Sequence, residues 1–334
     1  MSAKRPFKPI LAKEQIMINR REMLRSSLMA TSALALSQIP STSHSADFTE
    51  PVSASLGLTA YQKDQRILVR YNNSPVLSYR AGSDAKYPYF YPLSGPRSGL
   101  SLTTESSLPY PHHRGLWMGC EPLNKGNYWA DNGTESGQIK SVKLELLPPP
   151  ADNTIVFVQA CEWSREGSHP FNDERRYTII RASDDLVFID CEFKLTAAED
   201  VSIKKAKHAF FAIRAASDIS PAYGGTLMNS EGGIGAKGTY GKPADWCGYF
   251  GKRQFHPDLT EGIVIMNHPE NFDGKSLWFT RDYGHLSPSP LNFQKKPFKL
   301  AEGDSFTLSY RVVLFAGTPQ EANLNDVFKA WING

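Results

Sequence analysis

The sequence predicts an all-β fold: a large antiparallel β-sandwich with a short C-terminal helix. Short runs rich in β-branched and aromatic residues recur along the chain, separated by Gly, Pro, Asn and Asp. Many of these runs alternate apolar with polar residues, which is typical of strands with one buried face. Helical patterns do not alternate with the runs, so a parallel α/β sheet is not expected. A galactose-mutarotase-like supersandwich is one form that such a large sandwich can take.

Nine runs predict strands. They are RILVRY (66–71), VKLELL (142–147), TIVFVQACEW (154–163), RRYTIIRA (175–182), LVFIDCEFKL (186–195), HAFFAIRAA (208–216), EGIVIMNH (261–268), SLWFTRDY (276–283) and SFTLSYRVVLFAG (305–317). A helix is predicted only at the end of the chain, where Thr318 can cap the segment PQEANLNDVFKAWIN and Glu321 lies near its start. Its apolar face consists of Leu324, Val327, Phe328 and Trp331.

The N-terminal residues predict an export signal. Arg20 and Arg21 precede the mildly apolar run SLMATSALALSQIP, and the small residues Ser45 and Ala46 follow. This order is typical of a secretory signal, and the paired arginines favour the twin-arginine route. We therefore expect a leader over residues 1–46, a single domain over 47–334, and a periplasmic or secreted protein. A basic cytosolic tail is the alternative.

Composition excludes several classes of protein. The chain has 334 residues, 40% of them hydrophobic, and a net charge of +3, a profile that indicates a globular protein with a sizeable core. The basic residues show no stripe that would bind nucleic acid, and the apolar run of the leader is too short to span a bilayer. The four cysteines have no zinc-finger spacing, but in an oxidising compartment they could pair in three ways.

Polar and aromatic residues concentrate in four stretches, the first of which is PHHRGLW (111–117) with GNYWADNGTESGQI (126–139). Imidazole transfers protons near neutral pH, guanidinium binds carboxylate or hydroxyl oxygens, and tryptophan can stack on a sugar ring. The adjacent His112 and His113 should point to opposite faces of an extended backbone, so that only one enters a site unless the chain bends. Alternatively, His112 and Arg114 only hold a loop together.

The other three stretches lie at or beside predicted strands. In 163–177, Glu174 and Arg176 share a strand face, which suits either a site or a cross-strand salt bridge. In 204–216, His208 and Arg214 share one face, which lines either a cleft or a solvated sheet. The last stretch, 267–293, is dense in polar and aromatic side chains, although a plain turn would explain part of it. Its candidates are His268, Asn271, Arg281, Asp282 and Tyr283.

No metal or other cofactor is predicted. A metal site would need His112 or His113 to meet His208 and His268, with Glu121 or Glu174 as a further ligand. Nothing in the spacing requires that convergence, so a histidine-bound metal remains an alternative.

The order of these motifs resembles a known family. YPYFYPLSGP (87–96), PHHRGLW, NYW, GQI, ERRY, KHAFFAIR, NHPENF and WFTRDYG are similar to the PmoA family of exported bacterial proteins. That name refers to a methane oxygenase subunit, an integral membrane protein, and it does not fit a chain without a membrane span. The resemblance implies an antiparallel β-sandwich and a role near carbohydrate breakdown. The sequence departs from the family pattern at Phe279 and at the pair Lys207–His208, where other titratable groups are expected.

The resemblance and the residues together predict an exported carbohydrate-active protein with a cleft lined by His, Arg and Trp. It would be a hydrolase, lyase or epimerase acting on a glycoside or sugar derivative. The predicted catalytic residues are His112 or His113 as acid or base, with Glu174 or Asp282 as carboxylate partner. The predicted binding residues are Arg114, Trp117, Trp129, Arg176, Lys207, His208, Arg214, His268, Asn271, Arg281 and Tyr283.

Two other functions stay open at this point. One is a glycan-binding protein without catalysis, and the other is a structural protein whose motifs only shape loops. In the structural case the four polar stretches should lie far apart. The expected ligand is a carbohydrate or another small molecule, with no nucleic-acid partner, and the oligomeric state is open.

Overall fold

The fold consists mainly of antiparallel strands. The computed structural model describes residues 56–131, 135–272 and 274–334. In chain order the strands there are β1 (Leu58–Lys63), β2 (Arg66–Tyr71), β3 (Ser74–Arg80), β4 (Tyr89–Leu93), β5 (Leu116–Glu121), β6 (Gln138–Leu147), β7 (Thr154–Arg165), β8 (Ser168–Arg181), β9 (Leu186–Ala197), β10 (Val201–Ile203), β11 (His208–Arg214), β12 (Thr226–Asn229), β13 (Pro243–Ala244), β14 (Trp246–Arg253), β15 (His256–Asn267), β16 (Ser276–Arg281), β17 (His285–Pro288), β18 (Phe298–Leu300) and β19 (Ser305–Ala316). The α-helices are α1 (Gly235–Thr239) and α2 (Leu324–Asn333), and short 3₁₀ helices span Ser217–Ile219, Pro221–Tyr223 and Pro290–Asn292.

Two large sheets make up the sandwich. The first has nine strands in the order β1-β2-β3-β4-β5-β11-β17-β16-β13, and the second has eight in the order β12-β14-β15-β19-β9-β8-β7-β6. A small third sheet pairs β10 with β18. Strands make up 55% and helices 9% of the structure. The predicted large antiparallel β-sandwich with a short C-terminal helix is therefore confirmed.

The core lies between the two large sheets and is rich in aromatic rings. Phe211 on β11 stacks on Tyr310 on β19 with ring centroids 4.8 Å apart. Tyr79 on β3 contacts Phe157 on β7 at 5.1 Å. Phe210 also packs into this core, against Phe306 of β19 at 5.8 Å, whereas Ala212 on β11 points away from it.

Strand β8 shows how the alternation of its sequence places charges on both faces. Asp173 and Arg175 point into the sandwich and form a fully buried ion pair, with Arg175 Nε 2.7 Å from the Asp173 carboxylate. The Trp163 indole N–H donates to the same carboxylate. Glu174 and Arg176, the predicted same-face pair, are exposed on the outer face of the eight-stranded sheet.

The C-terminal helix begins later than the sequence predicts. Thr318 and Glu321 cap each other, since the Thr318 amide donates to Glu321 Oε2 at 2.7 Å and the Glu321 amide donates to Thr318 Oγ1 at 3.3 Å. A series of turns follows, and Asn323 adopts a left-handed conformation (φ 49°) immediately before α2. The left-handed residue interrupts the helical backbone, so the helix proper starts at Leu324.

All four cysteines, Cys120, Cys161, Cys191 and Cys247, are buried free thiols. Disulfide pairing, which export would permit, is not formed. Cys120 lies on β5 and Cys247 on β14, in different sheets, while Cys161 and Cys191 lie on β7 and β9 with β8 between them.

Two further expectations concern the chain as a whole. The predicted leader over residues 1–46 lies outside the described residues, as does the start of the domain predicted over 47–334. Within the described part of the chain, no helix is long and apolar enough to cross a membrane.

Candidate functional site

Four strands of the nine-stranded sheet, β5, β11, β17 and β16, bring the candidate residues together on its outer face. Ala212 on β11 lies opposite Trp117 on β5, and Arg214 lies opposite His285 on β17. On the other side of His285, Arg281 of β16 is its cross-strand partner. Phe211 points into the core, so Arg214, three residues along, shares the outer face with His285 and Arg281.

His112 and His113 lie in a turn that leads into β5. The His113 amide donates to the Tyr110 carbonyl at 3.0 Å, and the Tyr87 hydroxyl donates to the His112 carbonyl. The turn ends at Gly115, where φ is 64° and where a Cβ would overlap the Phe90 carbonyl oxygen. The backbone here is thus bent, which sequence alternation could not show.

Both histidines therefore belong to one cluster. Their ring centroids are 4.6 Å apart in an edge-on arrangement, whereas an extended backbone would have separated them. The His113 ring stacks on His285 at 4.5 Å with an interplanar angle of 17°. The expectation that only one of the two enters the site is corrected by this bend.

Two buried tryptophans pack against the imidazole rings. The Trp117 ring stacks on His113 at 5.3 Å and on Tyr87 at 6.0 Å, while Trp129 stacks on His208 at 4.9 Å. Both tryptophans are buried, so neither can stack on a sugar ring as predicted. The aromatic rings open to solvent at this face are instead those of Tyr110 and Tyr240.

Burial keeps the imidazoles neutral. Together with smaller effects of neighbouring cationic groups, it lowers the pKa of His113 to about 2 and that of His208 to about 4. The pKa of His285 falls well below its usual value for the same reasons, and that of His112 is also lowered. Both ring nitrogens of His285 and Nδ1 of His113 and of His208 are buried without a hydrogen-bond partner. The cluster thus holds several unused polar atoms in an apolar setting.

Three arginines surround the imidazoles. Arg114 pairs with Asp131, with Nη2 3.3 Å from the carboxylate. Arg214 lies over the Tyr283 ring at 4.4 Å, and Arg281 lies over the Phe279 ring at 4.2 Å. Tyr283 also contacts Tyr110, with ring centroids 5.1 Å apart, so the arginines and tyrosines form a continuous edge of the site.

One carboxylate also belongs to this face. Glu121 on β5 lies directly opposite His208 on β11, and adjacent strands place such partners about 5 Å apart on the same side of a sheet. Burial raises the pKa of Glu121, while Lys86 opposes the shift. Burial raises the pKa of the carboxyl and lowers that of the imidazole, so it favours the uncharged form of both groups.

The described residues contain no group of three His, Cys, Asp or Glu placed to hold a metal ion. His113 and His285 instead stack on each other with nearly parallel rings.

The second predicted stretch does not reach the cluster. Glu174 and Arg176 lie on β8 in the other sheet, and the Glu174 carboxylate is 3.6 Å from Lys194 Nζ with its side chain 73% exposed. The cross-strand salt bridge is therefore formed. Glu174 cannot be the partner of His112 or His113, because β8 belongs to the opposite sheet.

The last predicted stretch is divided between two places. Arg281 and Tyr283 lie in the cluster, but the His268 ring packs edge-on against Trp331 of α2 at 5.2 Å. Asn271 bonds the backbone of Ser309, accepting from its amide and donating to its carbonyl. Asp282 accepts a hydrogen bond of 2.7 Å from the Ala236 amide in the first turn of α1.

Asp282 therefore stabilises a turn and is exposed beside the site. It does not pair with His112 or His113, as the sequence had predicted. Lys207 is exposed next to His208 and contributes its backbone carbonyl to Ser289. Asp282 follows Arg281 and Lys207 precedes His208. Because side chains alternate along a strand, both point away from the cluster.

Sequence reasoning missed three residues of the cluster: His285, Tyr110 and the acid/base candidate Glu121, which it named only as a metal ligand. His285 follows the turn after Arg281, and the four-residue spacing of a tight hairpin was the signal that it would face that arginine. For Glu121, the signal was its separation of four residues from Trp117 on one strand, which puts both on the same face.

Comparison with known proteins gives a family but no activity. A solved structure named “Putative kojibiose phosphorylase from human microbiome” is similar over 84% of this chain, at 10% identity and a TM-score of 0.32. The chain spans 36% of the length of that protein. No curated protein matches the sequence significantly. Residues 66–329 match the family described as “Family of unknown function (DUF6807)”, and the chain belongs to this family.

Proposed function

We propose that the outer face of the nine-stranded sheet is the reaction site of a carbohydrate-active enzyme. The observation that carries the proposal is the convergence of residues from three separate parts of the chain on one buried cluster with unused polar atoms. Imidazoles, guanidinium groups and tyrosine rings are the groups that bind hydroxyl-rich ligands. Clusters of titratable groups with shifted pKa values are also concentrated at functional sites.

Glu121 and His208 are the proposed proton-transfer pair. Burial raises the pKa of the Glu121 carboxyl, which favours a group that can hold and release a proton. His208 stays neutral at pH 7, because its pKa is lowered to about 4, and it can accept a proton from a bound hydroxyl or carbon acid. His113 and His285 are more deeply buried, and we assign them to positioning His112, Arg214 and the tyrosines.

The Glu121–His208 pair supports proton transfer, but it is compatible with more than one class of reaction. A single carboxylate and a neutral imidazole can serve elimination or epimerisation as well as hydrolysis, which usually uses two carboxylates around the glycosidic bond. The predicted leader and the resemblance to the PmoA family support an exported protein that acts on carbohydrate outside the cytoplasm. Both rest on the sequence alone.

The test is a time course by proton NMR of the purified chain with a panel of neutral and acidic glycosides. NMR detects hydrolysis, elimination and epimerisation alike. We expect turnover of at least one glycoside, reduced about 100-fold or more by Glu121→Gln and by His208→Asn, the range expected for loss of a general acid or base. The controls are Glu162→Gln on β7 and His256→Asn on β15, which change exposed residues of the other sheet. Native turnover in both site variants would refute the assigned pair.

Glycan binding without catalysis is the second candidate, and the deep burial of the imidazoles favours it. A histidine whose pKa is about 2, as for His113, is a weak base near neutral pH and serves better as a hydrogen-bonding group. Calorimetric binding of a glycoside together with no change in its NMR spectrum over days would establish this function. Absence of both binding and turnover with the whole panel would refute the carbohydrate site itself.

A further inference from the structure

Arg214 differs from the other buried arginines of the protein. Among the described residues, three arginines are almost completely buried: Arg175, Arg214 and Arg253. Arg175 pairs with Asp173 at 2.7 Å, and Arg253 lies within 3.3 Å of both Asp218 and Glu261. Arg214 is 6% exposed, and its Nε and Nη1 atoms are buried without a hydrogen-bond partner.

A buried guanidinium normally has a carboxylate beside it, because removing a charge from water is costly unless it is paired. At Arg214, the described residues form no ion pair, and the guanidinium lies over the face of the Tyr283 ring, 4.4 Å away. Asp218, four residues along the chain, pairs with Arg253, and Asp282, next to Tyr283, accepts from the Ala236 amide. The two arginines that have carboxylates show that this fold can pair a buried guanidinium where its role is structural.

The neighbours of Arg214 are arranged in a row across three strands. Arg214, His285 and Arg281 are successive cross-strand partners on β11, β17 and β16. Adjacent strands are about 4.8 Å apart, so the Cα atoms of the two arginines are separated by about 10 Å, with an imidazole between them. Tyr283 lies in the turn between Arg281 and His285, and its ring contacts Arg214. Its hydroxyl adds a hydrogen-bond donor to this edge of the site.

The carboxylates of the site lie elsewhere. Asp131 pairs with Arg114, and Glu121 lies opposite His208 at the far end of β11 from Arg214. One end of the site is thus acidic and the other end cationic. The positive charges of Arg214 and Arg281 add to the effect of burial in lowering the pKa of His285. An anion at the cationic end would oppose that repulsion.

We propose that Arg214 and Arg281 form an anion subsite beside Tyr283, and that the substrate is a sugar carrying an oxyanion. A uronate carboxylate and a sulfate ester have this chemistry in common. The sugar ring then extends from the arginines toward Glu121 and His208. This inference rests on the proposed function, since it takes the same face of the sheet as the carbohydrate site.

The experiment is isothermal titration calorimetry of the full chain with four probes. They are methyl β-D-glucuronide, methyl β-D-glucoside 6-sulfate, methyl β-D-glucoside and sodium sulfate. We expect at least one of the two anionic glycosides to bind tenfold or more tightly than the neutral glucoside, and the stronger of the two identifies the oxyanion. Arg214→Gln should reduce that ratio to below threefold. Arg66→Gln, which changes an exposed arginine on β2, should keep the native ratio.

A second variant and a stability measurement separate binding from folding. Arg281 is only partly buried, so Arg281→Gln tests the same subsite if Arg214→Gln does not fold. Without ligand, Arg214→Gln should melt at the native temperature or above it, because it removes a buried charge that has no partner. A lower melting temperature together with an unchanged affinity ratio would show that Arg214 is structural and would overturn the subsite.

The remaining outcomes distinguish this inference from the proposed function. Equal affinity for neutral and anionic glycosides, in native and variant chains alike, would overturn the anion subsite and leave the carbohydrate site standing. Binding of sodium sulfate without any glycoside would indicate an adventitious ion only and would overturn the acidic-sugar substrate. Binding of none of the four probes would overturn the subsite as well.

Discussion

Acid should destabilise this protein at a pH where most proteins are still stable, because its imidazoles are buried in a neutral state. Burial lowers the pKa of His113 to about 2 and of His208 to about 4, and it lowers that of His285 well below its usual value. In the unfolded chain each imidazole titrates near pH 6.5. Between these values the unfolded state binds more protons than the folded state, so stability falls as the pH is lowered.

The magnitude depends mainly on the unfolded state. For an imidazole with a folded pKa below 5, lowering the pH from 7 to 5 costs about 2 kcal/mol, since each unit below 6.5 corresponds to about 1.4 kcal/mol. His113 and His208, whose folded pKa values both lie below 5, give a loss of about 4 kcal/mol, close to the whole stability of many domains. His285 adds to this loss in the same direction. Glu121 acts in the opposite direction, because its raised pKa favours protonation in the folded state.

Urea unfolding followed by tryptophan fluorescence at pH 7, 6 and 5 measures this loss. His208→Asn should remove about 2 kcal/mol of it, since this imidazole no longer titrates. The matched control is His256→Asn, which removes an exposed histidine of β15 and should keep the native profile. A native free energy of unfolding that changes by less than about 1 kcal/mol between pH 7 and 5 would refute the neutral cluster.

Three further predictions concern the structure that supports the site. Asp173→Asn leaves Arg175 buried without its carboxylate and should cost about 3–5 kcal/mol of unfolding free energy. Its exposed neighbour provides the comparison, because Glu174→Gln should change stability by less than about 0.5 kcal/mol. Gly115→Ala should destabilise more than Gly99→Ala in thermal unfolding, because both glycines have positive φ but only at Gly115 would a Cβ overlap another atom; equal losses would show that backbone conformation alone decides. The four buried thiols should resist a thiol reagent in the native chain and all react in denaturant, whereas fewer than four reactive thiols after denaturation would indicate a disulfide.

The strands could be predicted from the sequence because the alternation of side chains is local. RILVRY forms β2 with the predicted bounds, 66–71. The alternating run that contains Asp173, Glu174 and Arg175 forms part of β8. Alternation also placed His208 and Arg214 correctly on one face of β11. It could not show which strands are neighbours, and this is why Glu174 was expected in the site although β8 belongs to the other sheet.

Turns were the second feature that could not be predicted from the sequence. His112 and His113 were expected on opposite faces, and a bend that ends at Gly115 brings both rings into contact. His285 was missed because its strand has only four residues and follows a turn, so no periodic pattern marked it. Its position depends on the hairpin that pairs it with Arg281, which is a property of the register between β16 and β17.

The neutral imidazoles and the unpaired arginine have a common origin in how the sheet distributes charge. A cross-strand row places Arg214 and Arg281 on both sides of His285 and keeps the carboxylates of Glu121 and Asp131 at other positions. Burial alone would lower the pKa of His285, and the two arginines lower it further. At Arg214 the fold thus holds positive charge and unused hydrogen-bond donors without a carboxylate partner among the described residues. Arg175 and Arg253, in contrast, each have a carboxylate partner. An arrangement that is costly in the free protein is stabilised by a ligand that brings the missing charge, and a ligand that does so binds the folded state only.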